Sequence, residues 1–526
     1  MKLISLALAL ATASSIALSP THSAQSGSPS VPSIAREWVL FLADQHVNHV
    51  ETLYSMRPGV DAQPIQLSHD SHGKVIRSQL MPDGRRVIYL AREQPSSASN
   101  DVYIIPVDGS APGRRLNDVG ANVAEFGLSP RGDFLIYSTD SSLFRVNLAG
   151  DDTPTLLLQS TGVPLVSELR VSPDGLRVLY VGEESYGSHL YSVALEGTAS
   201  PMRLSPDYPQ NLRPEILSLD ISPDSQRVIF KTITAVGYHE IIYLYALYSA
   251  AIDQPGAFEF YSEVETYSTD YDMSADSSRL VYKIGNAVWN ASIDGQGAHI
   301  RLDGAGENIL YDVHLLKDGT MIYQGWVSGD FILRRTAIDN PMPVDLSLPG
   351  GFIRDVLLTT DESRAVFVGK VDHGSPYELF SVPVDGSTLP IRLNSPLPPG
   401  GSVERCSISA DGRYVIGLES FNDAYDLRFV PIDGSLPSTA ITGPIFGGVR
   451  EFMLTRSGAF AFYSHNDNGI GNYDAYLAPA VGGQAPQLLT PDSTISTLPV
   501  GLHTWKALGR IEDIASPSGN AGTRVE

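Results

Sequence analysis

Histidines close to the N-terminal end of the chain are the first candidates for chemistry. Four of the twelve histidines lie between positions 46 and 72: His46, His49, His69 and His72. Neutral imidazole is a common ligand of first-row transition metals, and Asp44 and Asp70 lie close by in sequence. The H-x-x-H spacing orients two rings together on a helix, whereas in a loop it is a weak motif. The cluster therefore predicts either a divalent metal site or solvated loop histidines.

A second polar segment resembles a calcium-binding loop. Asp467-Asn468-Gly469 is followed by Asn472 and Asp474, but the segment lacks the bidentate Glu and the twelve-residue register of an EF-hand. Asn-Gly also marks ordinary turns. The sequence contains no Gly-x-Ser-x-Gly elbow and no phosphate-binding glycine loop. The sequence assigns no residue a catalytic role. Whether the protein is an enzyme stays open, and the absence of a catalytic motif favours a protein without enzymatic activity.

A repeated turn must position these candidates. Pro82-Asp83-Gly84, Pro173-Asp174-Gly175 and Pro223-Asp224-Ser225 are each followed by an arginine and a short apolar strand with an aromatic residue. Weaker copies of the turn begin at Pro130, Ala275, Lys317, Thr360, Ala410 and Arg456. Successive copies are 42 to 52 residues apart. This period is typical of one four-stranded blade of a β-propeller.

Each part of the repeat has a physical reason. Pro presets φ for the turn, Asp caps it through its side chain, and Gly accepts a positive φ. A β-branched and aromatic strand follows, as at Val87 to Tyr89, and a third strand ends in a hairpin such as Asp108-Gly109. A short fourth strand carries Arg-Leu pairs such as Arg115-Leu116. The pattern predicts an all-β protein of antiparallel four-stranded blades.

The repeat resembles the TolB/PD40 (WD40-like) family. The family's mark is an apolar strand, then Ser-Pro-Asp-Gly, an apolar strand ending in an aromatic residue, and a Leu-Tyr strand closing with Asp-Gly. It stands here at Ser172 to Gly175, Tyr180, Leu190-Tyr191 and Gly197, and the similarity covers roughly residues 36–510. The family includes partner-binding periplasmic propellers, the propellers of prolyl peptidases and some sugar-active enzymes. The resemblance implies the fold and leaves the function open.

The number of blades follows from counting turns. Nine copies run from Pro82 to Arg456, and Trp38 to Phe41 with Thr52 to Tyr54 read as second and third strands that lack a first. Leu502 to Leu508 could supply that first strand and close a ring between the chain ends. The count predicts ten blades in one large ring, with two smaller propellers as the alternative, although propellers typically have four to eight blades.

Polar side chains recur at one position of the first strands, five residues before the proline slot of each turn. The nine residues are Arg77, Glu125, Glu168, Ser218, Asp270, Asp312, Asp355, Arg405 and Glu451. Six are acidic, and Asp220, Asp272 and His314 lie nearby in their strands. Strand entry at the inner edge of each blade would place them around a channel mouth. We expect them to bind Ca²⁺ or a basic group of a partner, or else to be solvated entry residues.

The ends of the chain and its composition indicate an exported protein. Lys2 and the apolar run Leu3 to Leu18 predict a signal peptide over residues 1–24, with His22 an unusual residue at the −3 position. We expect residues 25–35 and 512–526 to be flexible, residues 36–511 to form the propeller, and no segment to span a membrane. The predicted location is periplasmic or extracellular. Cys406 is the only cysteine, so no intramolecular disulfide can form.

Charge and motifs together narrow the function. The formal net charge of −23 disfavours nucleic acid as a partner. The first hypothesis is a non-catalytic scaffold that binds a protein, peptide or glycan through loops of one face. The alternative is a metal-assisted enzyme acting on an acidic sugar or another polar substrate, which the four histidines favour. A purely structural envelope component is a third possibility.

Overall fold

The fold is all-β throughout the part of the chain that the structure describes. The computed structural model describes residues 10–11, 37–43, 50–69, 74–92, 99–140, 142–150, 153–159, 165–184, 187–196, 200–208, 212–236, 242–264, 271–285, 287–302, 308–327, 329–348, 351–466 and 473–490. Within these ranges there are 41 strands and no helix. The predicted flexible segments and most of the predicted signal peptide lie outside them.

The strands form ten blades in chain order. Blades 1 to 3 contain β1 (Leu10–Ala11), β2 (Trp38–Ala43), β3 (Thr52–Met56), β4 (Ile65–Gln66); β5 (Val75–Leu80), β6 (Arg86–Arg92), β7 (Asn100–Pro106), β8 (Arg114–Arg115); β9 (Glu125–Leu128), β10 (Phe134–Ser138), β11 (Ser142–Asn147) and β12 (Thr155–Gln159). Blades 4 to 6 contain β13 (Leu165–Val171), β14 (Arg177–Glu184), β15 (Gly187–Ala194), β16 (Met202–Arg203); β17 (Glu215–Ile221), β18 (Arg227–Val236), β19 (Ile242–Ala251), β20 (Ala257–Val264); β21 (Tyr271–Met273), β22 (Arg279–Ile284), β23 (Ala287–Ser292) and β24 (Ile300–Arg301).

Blades 7 to 10 continue the same order. They contain β25 (Asn308–Leu315), β26 (Thr320–Val327), β27 (Asp330–Ala337), β28 (Val344–Asp345); β29 (Ile353–Leu358), β30 (Arg364–Gly369), β31 (Glu378–Pro383), β32 (Ile391–Arg392); β33 (Ser402–Ile408), β34 (Tyr414–Phe421), β35 (Ala424–Pro431), β36 (Thr439–Ala440), β37 (Ile445–Phe446); β38 (Val449–Leu454), β39 (Phe460–His465), β40 (Asp474–Pro479) and β41 (Gln487–Leu488). Each blade is an antiparallel meander, and in blade 9 the additional β37 pairs with β35.

The first strand of each blade lies at the inner edge of the ring. First strands of neighbouring blades contact one another, as β9 does with β13 and β33 with β38. The meander then places the Pro-Asp-Gly turns between first and second strands on one face, called here the turn face. The hairpins between second and third strands and the links between blades lie on the opposite face, called the loop face.

Aromatic pairs hold the centre of most blades. In seven blades an aromatic residue of the second strand stacks on the residue directly opposite it in the third strand, with ring centroids 5.0–5.5 Å apart. Tyr89 with Tyr103 and Tyr463 with Tyr476 are examples. Offset aromatic pairs contribute about 0.5–1.5 kcal/mol beyond the burial of their surface. In these seven blades the aromatic residue of the second strand therefore supports the register between the second and third strands.

The apolar core is divided among the contacts between blades. The described residues form ten apolar clusters, and each cluster joins two consecutive blades. One of them joins Val39 and Phe41 of blade 1 to Phe462 and Leu477 of blade 10. Ser457 of blade 10 also donates two hydrogen bonds to the Glu37 carboxylate, at 3.1 and 2.8 Å. The ten blades thus form one closed ring, and the prediction of a single ring is confirmed.

The first strand of blade 1 comes from a different segment than the sequence predicted. Leu10 pairs with Val39 and Ala11 pairs with Trp38, so β1 occupies the place expected for a C-terminal strand. The candidate for that strand, Leu502 to Leu508, lies outside the described residues. Closure in the described structure therefore comes from contact between blades 10 and 1.

Buried serines in the third strands link neighbouring blades. Three of them donate to a carbonyl beside the outer hairpin of the next blade: Ser55 to Val107 O, Ser192 to Ile252 O and Ser249 to Ile293 O, each at 2.6 Å. Arg177 and Arg227 hold Ser192 and Ser249 in place through their Nε atoms, both at 2.7 Å. A satisfied buried hydroxyl contributes about 1 kcal/mol, while an unsatisfied partner would cost more.

A further set of bonds links the turns of neighbouring blades. In three turns the glycine position holds another residue with positive φ, namely Ser225 (60°), Ser277 (60°) and Glu362 (58°). Each of these side chains accepts a hydrogen bond from a backbone amide in the turn of the preceding blade: Asp174 N to Ser225 Oγ (2.9 Å), Asp224 N to Ser277 Oγ (3.1 Å) and Lys317 N to Glu362 Oε2 (2.8 Å). A residue other than glycine is strained at a positive φ, and at these three positions the hydrogen bond between blades offsets that strain.

Substitution of Ser225 separates these two effects. Ser225→Ala keeps the left-handed backbone but removes the acceptor, so we expect a loss of about 1 kcal/mol and a lower melting temperature. Ser225→Gly also loses the acceptor but relieves about 1 kcal/mol of backbone strain, so it should melt close to the natural protein. Thermal melting and hydrogen exchange at the Asp174 amide would measure both. Unchanged melting and exchange in Ser225→Ala would contradict the role given to the hydroxyl.

Candidate functional site

The polar positions of the first strands coincide with irregular strand pairing. Seven first strands shift register against their second strands near the position five residues before the proline slot: β5, β13, β17, β25, β29, β33 and β38. In β29 the register shifts between Arg354 and Val356, and Asp355 between them is exposed and has φ of 52°. A bulge of this kind re-aims the side chains beside it. These polar positions, called here the channel rim, therefore leave the regular alternation of the strand.

Three arginines of the rim reach the first strand of the next blade. The bonds run from Arg77 Nη1 to Phe126 O (3.2 Å), from Arg354 Nη2 to Val403 O (2.5 Å) and from Arg405 Nη2 to Val449 O (3.3 Å). Arg77 and Arg405 also lie over the rings of Phe126 and Phe452, at 4.7 and 5.3 Å. The sequence analysis did not predict Arg354, because the position five residues before the proline slot in this blade is Asp355 and Arg354 lies one residue earlier. These cations hold neighbouring blades together at the inner edge.

Two of the described acidic residues of the rim form ion pairs with arginines. Glu125 pairs with Arg77, and Glu168 pairs with Arg170 at 2.8 Å. Asp270 and the side chain of Asp312 lie outside the described residues, and Ser218 and Glu451 are half-buried. Among the side chains that are described, no three of His, Cys, Asp and Glu are grouped to hold a metal ion. A Ca²⁺ site at the rim stays a prediction that depends on Asp270 and Asp312.

Burial shifts the pKa values of residues at and beside the rim. Burial raises the pKa of Tyr271 well above its usual value, and the charge of Asp220, which accepts a 2.5 Å hydrogen bond from the hydroxyl, adds to the effect. Burial also lowers the pKa of Arg77 to about 10, with a further lowering from Arg170, although water reaches 36% of the side chain and screens the effect. Arg77 stays protonated at neutral pH.

Asp272 and His314 occupy matching positions in blades 6 and 7. The buried Asp272 carboxylate accepts hydrogen bonds from Met273 N at 2.8 Å and from Leu315 N at 2.9 Å, so it joins the two blades. Burial lowers the pKa of His314, which favours its neutral form. Burial and the charge of Asp355 raise the pKa of the Cys406 thiol well above its usual range. These residues are therefore suited to structural roles.

Two other sequence candidates fall largely outside the described residues. His46, His49 and His72 lie outside them, and His69 is an exposed residue after β4. The metal site of four histidines stays a prediction. In the segment that resembles a calcium loop, Asp474 is described and accepts a hydrogen bond from Thr490 at 3.1 Å. The remainder of that segment lies outside the described residues.

A row of aromatic side chains on the loop face was not predicted. The row, called here the loop-face platform, consists of Trp326, Phe331, Phe352 and His373. Their consecutive ring centroids are 4.7, 5.1 and 5.0 Å apart. Trp326 is 36% exposed and the His373 side chain is 64% exposed, and His373 Nε2 lies 3.5 Å from Asp330. The platform thus crosses from blade 7 to blade 8 and faces solvent.

Backbone contacts explain how distant residues meet in the platform. Trp326 and Phe331 are opposite each other in the β26–β27 hairpin. Phe331 N donates to Gly351 O at 3.1 Å, and Lys370 N donates to Phe352 O at 2.8 Å, so the link before β29 lies between blades 7 and 8. A Cβ at position 351 would lie 1.9 Å from Lys370 O, which only glycine avoids. The sequence could have indicated only one part of the platform, because the spacing of Trp326 and Phe331 places them opposite each other in a hairpin.

Cations extend the platform toward the channel rim. Arg354 lies 3.9 Å and the Lys370 ammonium 4.5 Å from the Tyr377 ring centroid. Arg354 Nη2 also contacts Glu404 at 3.0 Å, and the Ser420 hydroxyl donates to Glu404 at 2.6 Å. Cation–π contacts contribute about 0.5–2 kcal/mol. The loop face of blades 7 to 9 thus combines aromatic surface with fixed positive groups.

Two glutamates of blade 9 have pKa values shifted in opposite directions. Burial raises the pKa of Glu419 from 4.5 to about 7, opposed by Arg428 and reinforced by Asp426. Burial alone would raise the pKa of Glu404 too, but hydrogen bonding from Ser420 and the charge of Arg354 hold it below its usual value. Glu419 is therefore partly protonated at neutral pH, whereas Glu404 is ionised.

Comparison with known proteins finds only distant similarities to solved structures. No protein-family model and no curated protein matches the chain. Among solved structures the chain is similar to a eukaryotic initiation factor, with 12% identity and a TM-score of 0.43, over 85% of this chain and 94% of the other. An oligogalacturonate lyase in complex with manganese has 12% identity and a TM-score of 0.36, over 84% and 96% of the two chains.

The putative TolB from Agrobacterium tumefaciens is also similar, with 17% identity and a TM-score of 0.24, over 44% of this chain and 83% of the other. Membership of the PD40 family stays a prediction. No helix in the described part of the chain is long and apolar enough to cross a membrane.

The two shifted glutamates predict opposite responses to pH. Glu419 has a raised folded pKa, so its stabilising effect is complete below about pH 4.5 and is lost as the pH rises through about 7. Glu419→Gln should therefore raise the free energy of unfolding at pH 8 by at most about 3 kcal/mol, with little effect near pH 4.5. Denaturant melts at both pH values would measure the change.

Glu404→Gln is the matched variant on the same blade. The lowered pKa of Glu404 contributes stability above its unfolded pKa, and that stability is lost as the pH falls. Glu404→Gln should therefore destabilise the protein at pH 8 and have a smaller effect in acid. A shift in the same direction for both variants at pH 8 would contradict the assignment.

Proposed function

We propose that this chain is a non-catalytic binding scaffold that presents the loop-face platform to a protein or peptide ligand. The observation that carries the proposal is the partly exposed ring row Trp326, Phe331, Phe352 and His373. Large aromatic side chains elsewhere in the blades are mostly buried between neighbouring blades, as Tyr89 and Phe462 are. The platform rings instead contact each other where solvent can reach them.

The composition of the platform matches that of protein-binding hot spots. Trp, Tyr and Arg are enriched among residues that dominate binding energy, because they offer a large rigid surface with a polar group. Tyr377 with Arg354 supplies the second half of this pattern beside the ring row. The closed ring supports both on strands and short links, so little conformational entropy is lost on binding. Loops on a rigid scaffold are the usual place for such sites.

A peptide selection tests the proposal. Peptides selected from a displayed random library on the immobilised protein should bind about tenfold more weakly to Trp326→Ala and to Phe352→Ala. Leu176→Ala is the matched control, because Leu176 is 56% exposed in the turn after β13, on the opposite face. Peptides that bind Trp326→Ala and the natural protein equally would refute the platform as the site. Platform-dependent binding of glycans in place of peptides would refute the ligand class.

We also propose that the chain is exported, with cleavage after Ala24. The support is the charged and apolar pattern of residues 1–18. Cleavage would remove β1 and leave blade 1 with β2 to β4. Expression of the full chain in a Gram-negative bacterium should give a periplasmic protein, and its mass should equal that of a chain that starts at Gln25. His22→Ala should speed the processing, and a cytoplasmic product that keeps Met1 would contradict export.

A further inference from the structure

The outer strand of blade 5 differs from the outer strands of the other blades. β20 has eight residues, whereas the outer strand has two residues in eight blades and five residues in blade 3. β20 pairs with β19 across seven positions, and β19 pairs with β18 across ten. Blade 5 therefore carries a long outer strand on the longest ladder in the described structure.

The outer edge of β20 carries acidic residues but no lysine, arginine or proline. Among the described strands β20 pairs only with β19, so alternate N–H and C=O groups along its other edge point away from the blade. Proteins protect such edges with short strands, prolines or charged side chains, most often lysine. Short outer strands here hold Arg115, Arg203, Arg301 and Arg392, whereas β20 contains no Lys, Arg or Pro.

The surrounding sequence is acidic and contains no lysine or arginine. No Lys or Arg occurs between Lys231 and Arg279. The same stretch contains eight acidic residues: Glu240, Asp253, Glu259, Glu263, Glu265, Asp270, Asp272 and Asp276. Two of them, Glu259 and Glu263, belong to β20 itself. A strand that paired with β20 would therefore lie beside these two acidic residues and close to Asp253 in the hairpin before β20, whereas Asp272 and Asp276 belong to the inner part of blade 6.

Blade 9 shows that a segment outside the four-stranded repeat can pair with a strand of a blade. Its fourth strand, β36, covers only two positions of β35. Beside it, β37 pairs with the remaining part of β35, through Ala424 with Phe446 and Tyr425 with Ile445. The outer hydrogen-bonding groups of a blade can thus be satisfied by a segment that does not belong to the four-stranded repeat.

We propose that β20 is a docking edge that takes an extended, lysine- or arginine-rich segment of a partner protein as a fifth strand of blade 5. Backbone pairing along an exposed strand supplies affinity, and alternate side chains supply specificity. A second copy of this chain is the less suitable occupant, because it would bring Glu259 and Glu263 close to their own copies, and both chains carry a net charge of −23. The edge is separate from the loop-face platform of blades 7 and 8.

A model peptide tests the edge directly. The probe is a fluorescent peptide of alternating lysine and threonine, and the readout is its anisotropy with the full chain at low salt. We expect binding that protects the amides of residues 257–264 from hydrogen exchange and that weakens as salt is added. Glu259→Lys with Glu263→Lys should weaken binding about tenfold. Glu215→Lys with Asp207→Lys changes the net charge equally on exposed positions and should leave binding within about threefold.

Backbone pairing and charge attraction are separated by a second peptide. The same peptide methylated on alternate amide nitrogens keeps its charge but loses the donors for one edge, so it should not bind. Equal binding of the methylated peptide, or no binding of the lysine peptide at low salt, would overturn the proposal. Dimers in sedimentation experiments that Glu259→Lys with Glu263→Lys alters would also overturn it, in favour of self-pairing. Trp326→Ala should have no effect, which keeps this test independent of the platform.

Discussion

In β2, Val39 and Phe41 pack against blade 10, while Leu40 and Leu42 pack against blade 2. Alternate residues of a strand point to opposite faces, so this second strand is apolar on both sides and has no polar face. A blade of this kind exposes two apolar surfaces when it is alone. Contact between the faces of consecutive blades is therefore the interaction on which the other features depend, including the rim, the turns and the platform.

That dependence explains which features could be predicted from sequence. The Pro-Asp-Gly turn and the aromatic residue after it are local, so Pro82 to Tyr89 identifies a blade without any knowledge of its neighbours. The count of nine such turns, together with the composite first blade, predicted ten blades in one ring. Ser225 and Glu362 could not be explained in the same way, since their positive φ is useful only when the amide of the preceding turn is in place. Features between blades need the structure.

The candidate site shows the same limit. The spacing of polar residues in the first strands predicts Arg77, Glu125 and Arg405 as members of one set. The ion pair of Arg77 with Glu125 and the carbonyl contacts of both arginines depend on the bulges, which the spacing does not show. The platform joins Phe331 to Phe352 through a link whose close approach at Gly351 has no repeat signature. The turn and strand residues recur from blade to blade and can be recognised in the sequence. The surface that is proposed to bind a ligand is formed by residues that do not recur.

Closure of the ring also has a consequence for how such a chain can change in length. In a linear array of repeats the terminal units need polar caps, because each would otherwise expose an apolar face. Here Phe41 and Phe462 cover one another, so neither end blade needs a cap. Gain or loss of part of a blade would open that contact, while gain or loss of a whole blade changes every angle between neighbours slightly. Duplication can therefore alter this architecture only in whole blades, and a ring of ten is one member of a discrete series.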